Sequence, residues 1–110
     1  MLWRIRDRAT FEALRRAGTR ARRGPVTVTY VPIGDAPVPR VAYAVGRRVG
    51  KSVIRNRLRR RLRAAAASVE ALVPGAYLVS AGPAAAGLAY DDLRREVARA
   101  MTSASEGSRS

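Results

Sequence analysis

The 110-residue chain contains no cysteine and no histidine. The first absence removes disulfides, thiolate nucleophiles and cysteine-ligated zinc, and is compatible with a reducing compartment. The second removes the side chain best suited to moving a proton near neutral pH. Catalysis by protein groups would therefore rest on eight scattered acids, the tyrosines or Lys51, the only lysine. Those acids stand against 22 basic residues, for a formal net charge of +14. With a pI near 11.8, the chain repels itself and is drawn to nucleic acid or an anionic membrane. The membrane is the weaker destination. No run approaches the roughly 20 apolar residues that span a bilayer, and MLWRIRDRA lacks the apolar region of a signal peptide, so the expected compartment is the cytoplasm. An apolar content of 47% suffices for the modest core of one domain, expected over residues 1–101, with TSASEGSRS (102–110) as a disordered tail.

What the chain does have is arginine, concentrated from Arg47 to Arg63 in RRVGKSVIRNRLRRRLR. At about 100° per residue, Ile54, Leu58, Leu62, Ala65, Val69 and Leu72 fall on one side, which predicts an amphipathic helix facing a core. Asn56, Arg60 and Arg63 then point away from that stripe, Arg57 and Arg59 flank them, and Arg55 and Arg61 sit near the apolar boundary. Ser52 is the expected N-cap of a first turn whose partial positive charge suits phosphate. A solvated charge face is the ordinary explanation of such a helix. Here no acid occurs between Ala36 and Val69 while ten basic residues do, so the repulsion has no internal partner and an external polyanion is implied. Forked guanidinium donors suit phosphate and base stacking better than ammonium groups.

In chain order, DRATFEALRRAG predicts a helix from Arg8 to Ala17, with Asp7 as cap and Gly18 as a left-handed stop. Phe11, the only phenylalanine, either anchors this helix to a sheet or serves a ligand. Residues 20–23 form a basic turn before PVTVTYVPI, a strand bounded by Pro25 and Pro32 with Val26, Val28 and Tyr30 on one face and Thr27, Thr29 and Val31 on the other. GDAPVP is a flexible loop leading to a second strand, RVAYAVGR, expected to lie antiparallel beside the first. After the arginine helix, AYLVSA is a buried strand, completing a βαβ unit for which the general rule expects a right-handed crossover. A last helix begins near Tyr90 or Asp91, with Leu93, Val97 and Met101 inward. Asp91 and Asp92 are adjacent on that helix and do not face each other, so they are first-turn acids rather than a catalytic pair.

The segment GRRVGKSVIRNRLRRRLR closely resembles the signature of the bacterial ribonuclease P protein subunit, an Arg-Asn-Arg core followed by basic residues along one helix. The FEAL segment, the following glycine, the strand pair and the last helix agree in order. The resemblance implies an α+β fold, an α/β sandwich like the second domain of ribosomal protein S5. Its order is αβββαβα with a left-handed βαβ crossover, and its extra strand lies near residues 20–23. It implies a subunit of an endoribonuclease that removes the 5′ leader of precursor tRNA. The partners are then the catalytic RNA and precursor tRNA, with no membrane and no protein partner. The Mg²⁺ is bound mainly by RNA, and no protein residue is catalytic or a metal ligand. Arg47, Arg48, Lys51, Arg55, Asn56, Arg57, Arg59, Arg60 and Arg63 would face the RNA subunit, and Phe11 would line a cleft for the leader.

Several positions depart from the family pattern. Arg15 stands where a second aromatic is common, and the strand aromatic of the cleft falls on Thr29, with Tyr30 one residue later. Ala42, Gly46 and Gly82 replace residues common in the family. Two rival functions remain at this level: a general nucleic-acid-binding protein, and a stand-alone nuclease that would need its own acids.

Overall fold

The computed structural model describes residues 2–33 and 38–109. Ahead of the first helix a two-residue strand, β1 (Trp3–Arg4), joins the edge of the sheet. Then come α1 (Arg8–Ala17), β2 (Thr19–Arg23), β3 (Val26–Val31), β4 (Arg40–Val45), a 3-10 turn (Arg47–Val49), α2 (Ser52–Ala67), β5 (Ala76–Ala81), a second 3-10 segment (Pro83–Gly87) and α3 (Tyr90–Arg109). The class is mixed α+β.

Helix α1 starts where the sequence predicts. The Asp7 carboxylate accepts from the Thr10 amide at 2.9 Å and the Thr10 hydroxyl at 2.6 Å, and those bonds, the hydroxyl first, hold its pKa below the usual carboxylate value. Its end differs from expectation. Gly18 is extended (φ −69°, ψ 141°) rather than left-handed, because the chain runs directly into β2. Glycine is required there for space: a Cβ would lie 2.3 Å from both the Leu14 carbonyl oxygen and Thr29 Cγ2.

Residues 20–23 belong to a strand, as the family resemblance implies, and not to the turn expected from the residues alone. Gly24, at φ +57°, and Pro25 close a hairpin in which Arg23 pairs with Val26 and Thr19 with Tyr30. The partner of each basic side chain on β2 is set by this hairpin, which a local pattern does not show.

The sheet order is β1-β4-β5-β3-β2. Strand β4 is thus not the neighbour of β3, against expectation. Strand β5 lies between them, antiparallel to β3 and parallel to β4. The physical reason is its composition: Ala76, Tyr77 and Val79 are each fully buried, on alternating faces, and a strand apolar on both faces belongs in the middle of a sheet covered on both sides. The loop predicted over GDAPVP includes residues 34–37, which lie outside the described residues.

Helices α2 and α3 cover one face of the sheet through Leu58, Leu62, Leu93, Val97 and Met101, packed on Val26, Val28, Tyr30, Val41, Tyr77 and Val79. Helix α1 covers part of the other through Leu14, beside Ile5, Val31 and Ala76, with Phe11 at its margin. Two expected boundaries move. The apolar stripe of α2 consists of Leu58, Leu62, Ala65 and Ala66. Ile54 is 39% exposed, and Val69 and Leu72 pack half-buried beyond the helix end. The expected disordered tail instead continues α3, since Ala104 and Ser105 fall on its inner face and are buried at 0% and 5% exposure.

Two outcomes follow. Ala104→Asp, placing a charge in that contact, is expected to lower stability by about 3 kcal/mol in urea denaturation, whereas a frayed tail would leave it unchanged. Burial pushes the Tyr77 hydroxyl, which donates to the Val73 carbonyl at 2.7 Å, up to about 12. The folded pKa exceeds the ordinary tyrosine value, so this contribution to stability is complete below pH about 10 and is lost as pH rises toward 12. Alkaline unfolding followed by circular dichroism should fall in that window and flatten in Tyr77→Phe.

Candidate nucleic-acid interface

The outer face of α2 begins at an unusual terminus. Lys51, extended at φ −66° and ψ 164°, occupies the cap position and provides no side-chain acceptor. Ser52 is the first helical residue, not the cap, and its hydroxyl accepts from Arg55 Nη2 at 3.1 Å. No acid lies in the first turn. The exposed first-turn amides therefore sit among Arg47, Arg48, Lys51 and Arg55, a concentration of positive charge and donors that suits an anion.

Farther along, the expected residues share one surface but differ in freedom. Arg47, Arg48, Lys51, Asn56, Arg57, Arg60 and Arg63 are exposed, while Arg55 and Arg59 are half-buried. Arg59 is held by two bonds, Nη1 to Asn56 Oδ1 at 2.9 Å and Nη2 to the Val45 carbonyl at 3.4 Å. Asn56 thereby helps fix the Arg59 guanidinium. Arg63 lies over the Tyr43 ring, 5.9 Å from its centroid. Burial raises the Tyr43 pKa, and Arg63 opposes that rise. Arg61 leaves this surface, donating to the Leu88 carbonyl at 2.5 Å and tying α2 to the segment before α3. The ion pairs found among the described residues, Arg8–Glu12, Arg40–Asp7 and Arg95–Asp92, include no arginine of α2. The positive face is thus not neutralised from within.

The cleft residues fare differently. Strand alternation puts Ala42, Ala44, Leu78, Ser80 and Thr27 on the α1 side of the sheet, beside α1. Phe11 stands half-buried against the cluster of Ile5, Leu14, Val31 and Ala76, at whose margin Ala42 and Leu78 also pack, and Arg15 is exposed one turn later. Tyr30 is not there. It points into the opposite core, its hydroxyl donating to the Pro74 carbonyl at 2.7 Å and its ring centroid 4.8 Å from that of Tyr77. The regular register of β3 leaves no bulge to turn it around. Thr29 faces the α1 side but is 8% exposed, with Gly18 above it.

A family model for ribonuclease P matches residues 2–105. The chain belongs to the ribonuclease P protein family. Solved RNase P proteins share the fold. A Staphylococcus aureus RNase P protein mutant with defective mRNA degradation activity aligns with TM-score 0.84 at 18% identity, over 94% of this chain and 88% of its own. The Thermotoga maritima RNase P protein aligns with TM-score 0.75 at 20% identity, over 87% of this chain and 92% of its own. Comparison with the curated proteins gave no match.

Within this ribonuclease P protein, no three His, Cys, Asp or Glu side chains converge to hold a metal ion among the described residues. No helix is long and apolar enough to cross a membrane. Sequence reasoning missed Trp3, Arg4 and Tyr43, which line a groove of about 410 Å³ together with Arg59 and Arg63. The alternation of RVAYAV places Tyr43 on the face of Val41 and Val45. Nothing local marks Trp3, whose neighbours come from strand pairing.

The division of labour on α2 is measurable. Arg61→Ala should lower stability by about 1.5 kcal/mol, the size of a hydrogen bond from a charged donor, while Arg60→Ala should stay within about 0.5 kcal/mol of wild type. Equal thermal denaturation of the two variants would remove the distinction between tethering and open arginines.

Proposed function

We propose that the chain is the protein subunit of a ribonuclease P ribonucleoprotein, acting in the cytoplasm with a catalytic RNA to remove the 5′ leader of precursor tRNA. The observation that carries this reading is the α2 face: exposed arginines around an uncapped helix terminus, in no ion pair among the described residues, in a chain of the ribonuclease P family. Arg47, Arg48, Lys51, Arg55, Asn56, Arg57, Arg59, Arg60 and Arg63 contact the RNA subunit. With Arg59 and Asn56 already linked, part of the ordering cost of these long side chains is met before binding.

The leader lies along α1, stacked on Phe11 and held by Arg15, above a floor of small residues that lets a nucleotide approach the sheet. Thr29 contributes only at the margin, and Tyr30 supports the sheet from behind. Magnesium is bound by RNA, and the chemical step belongs there. The protein places positive charge beside converging phosphates, which lowers the magnesium needed for assembly, and it adds binding energy that only the precursor can use. Asp92 of α3 pairs with Arg95 at 3.6 Å on the outer surface.

Sequencing the RNA that copurifies from cells tests the assignment. One abundant RNA that cuts precursor tRNA is expected, whereas a mixture of unrelated RNAs would favour a general nucleic-acid-binding protein. In reconstituted enzyme, replacing Arg57 and Arg60 with alanine should weaken binding of the RNA subunit and flatten the salt slope by roughly 0.7 to 0.9 per lost phosphate contact. Phe11→Ala should reduce affinity for precursor more than for mature tRNA, by about 1 to 3 kcal/mol.

A further inference from the structure

The groove between β1, the outer edge of β4 and α2 is separate from the α1 cleft and adjoins the α2 crest through Arg59 and Arg63. We infer that it receives one unpaired nucleotide of RNA, a role that rests on reading α2 as the RNA-facing helix. Its volume, about 410 Å³, lies in the range of roughly 300 to 1,000 Å³ typical of small-ligand sites.

The main chain supplies a recognition edge. Trp3 donates to the Pro39 carbonyl at 3.0 Å and Ile5 to the Val41 carbonyl at 3.3 Å, where β1 ends. Alternate residues of β4 present both main-chain groups to this edge, so Tyr43 and Val45 come next. The Val45 carbonyl is taken by Arg59. Among the described residues this leaves Tyr43, between the end of β1 and the Arg59 guanidinium, to offer an N–H donor and a C=O acceptor side by side. An added peptide strand needs several consecutive edge positions, and here it would have one. A nucleobase needs one donor and one acceptor.

The side chains suit the same ligand. The Tyr43 ring is backed by Arg63, and Trp3, 45% exposed, has Arg40 6.0 Å from its ring centroid. Stacking on such rings tolerates any base. Arg4, Arg59 and Arg63 line the groove, and among the described residues no carboxylate does. Burying three guanidinium groups under an apolar partner would strand their charge, whereas a nucleotide brings its own phosphate.

Trp3 is the only tryptophan and lines the groove, so its fluorescence reports on binding there. The full chain would be titrated with the transcribed RNA subunit, with pentaadenylate and with inorganic polyphosphate. Both RNAs should quench Trp3, and polyphosphate, having no bases, should not. Trp3→Ala and Tyr43→Leu, the second keeping apolar bulk, should each weaken binding of the RNA subunit by roughly 5- to 100-fold without changing the salt slope, because no phosphate contact is lost. Equal quenching by polyphosphate, or unchanged fluorescence and unchanged variant affinities with a tightly bound RNA subunit, overturns the nucleotide site and leaves the subunit assignment standing. Failure of the RNA subunit to bind the wild type overturns the assignment itself, and the pentaadenylate arm then decides the groove alone.

Discussion

Helix α2 must be held against the sheet although its own charges push it apart. Its arginines have no carboxylate among them, and like charges one turn apart repel. What opposes them is a stripe of only Leu58, Leu62, Ala65 and Ala66, together with two polar tethers, Arg59 to the Val45 carbonyl and Arg61 to the Leu88 carbonyl. The two alanines let α2 approach its neighbours closely, so a narrow stripe is enough. The outer face is left free to be entirely positive, a state that a polyanion relieves.

The sheet separates two tasks. Its α2–α3 face carries the larger core, including both buried tyrosines and all of α3 through Ala104. Its α1 face is only partly covered, and the residues beyond α1 are small or polar. Scarce aromatics sharpen this division: with 5% aromatic residues, Tyr30 and Tyr77 go to the core, Phe11 to the cleft margin, and Trp3 and Tyr43 to the β4 edge. A cleft with one ring and a nearby arginine leans more on guanidinium contacts than one lined by several rings.

How much of this was legible in the chain follows from range. Helix α1, the inward residues of α3 and the basic crest of α2 rest on neighbours three or four positions away, and periodicity shows them. Asp7 capping Thr10 is equally local. The Ser52 cap was misplaced by one residue because Lys51, which takes the extended conformation, has no capping group to announce it. Strand β2 looked like a turn because its partner lies across Gly24 and Pro25, and the length of α3 was underestimated because TSASEGSRS looks polar until Ala104 meets the sheet.

By itself the sequence determined the arginine face, the lack of histidine and cysteine, and the family to which the chain belongs. The tertiary structure alone decided which arginines are tethers and which are open, that Tyr30 is core while Phe11 is not, and that Trp3, Tyr43 and Arg63 meet at one sheet edge. The reason is physical. Charge density and helical periodicity are properties of consecutive residues, whereas the insertion of β5 between β3 and β4 is set by burying a strand apolar on both faces. That one placement leaves β4 with an outer edge and so determines which distant side chains share it.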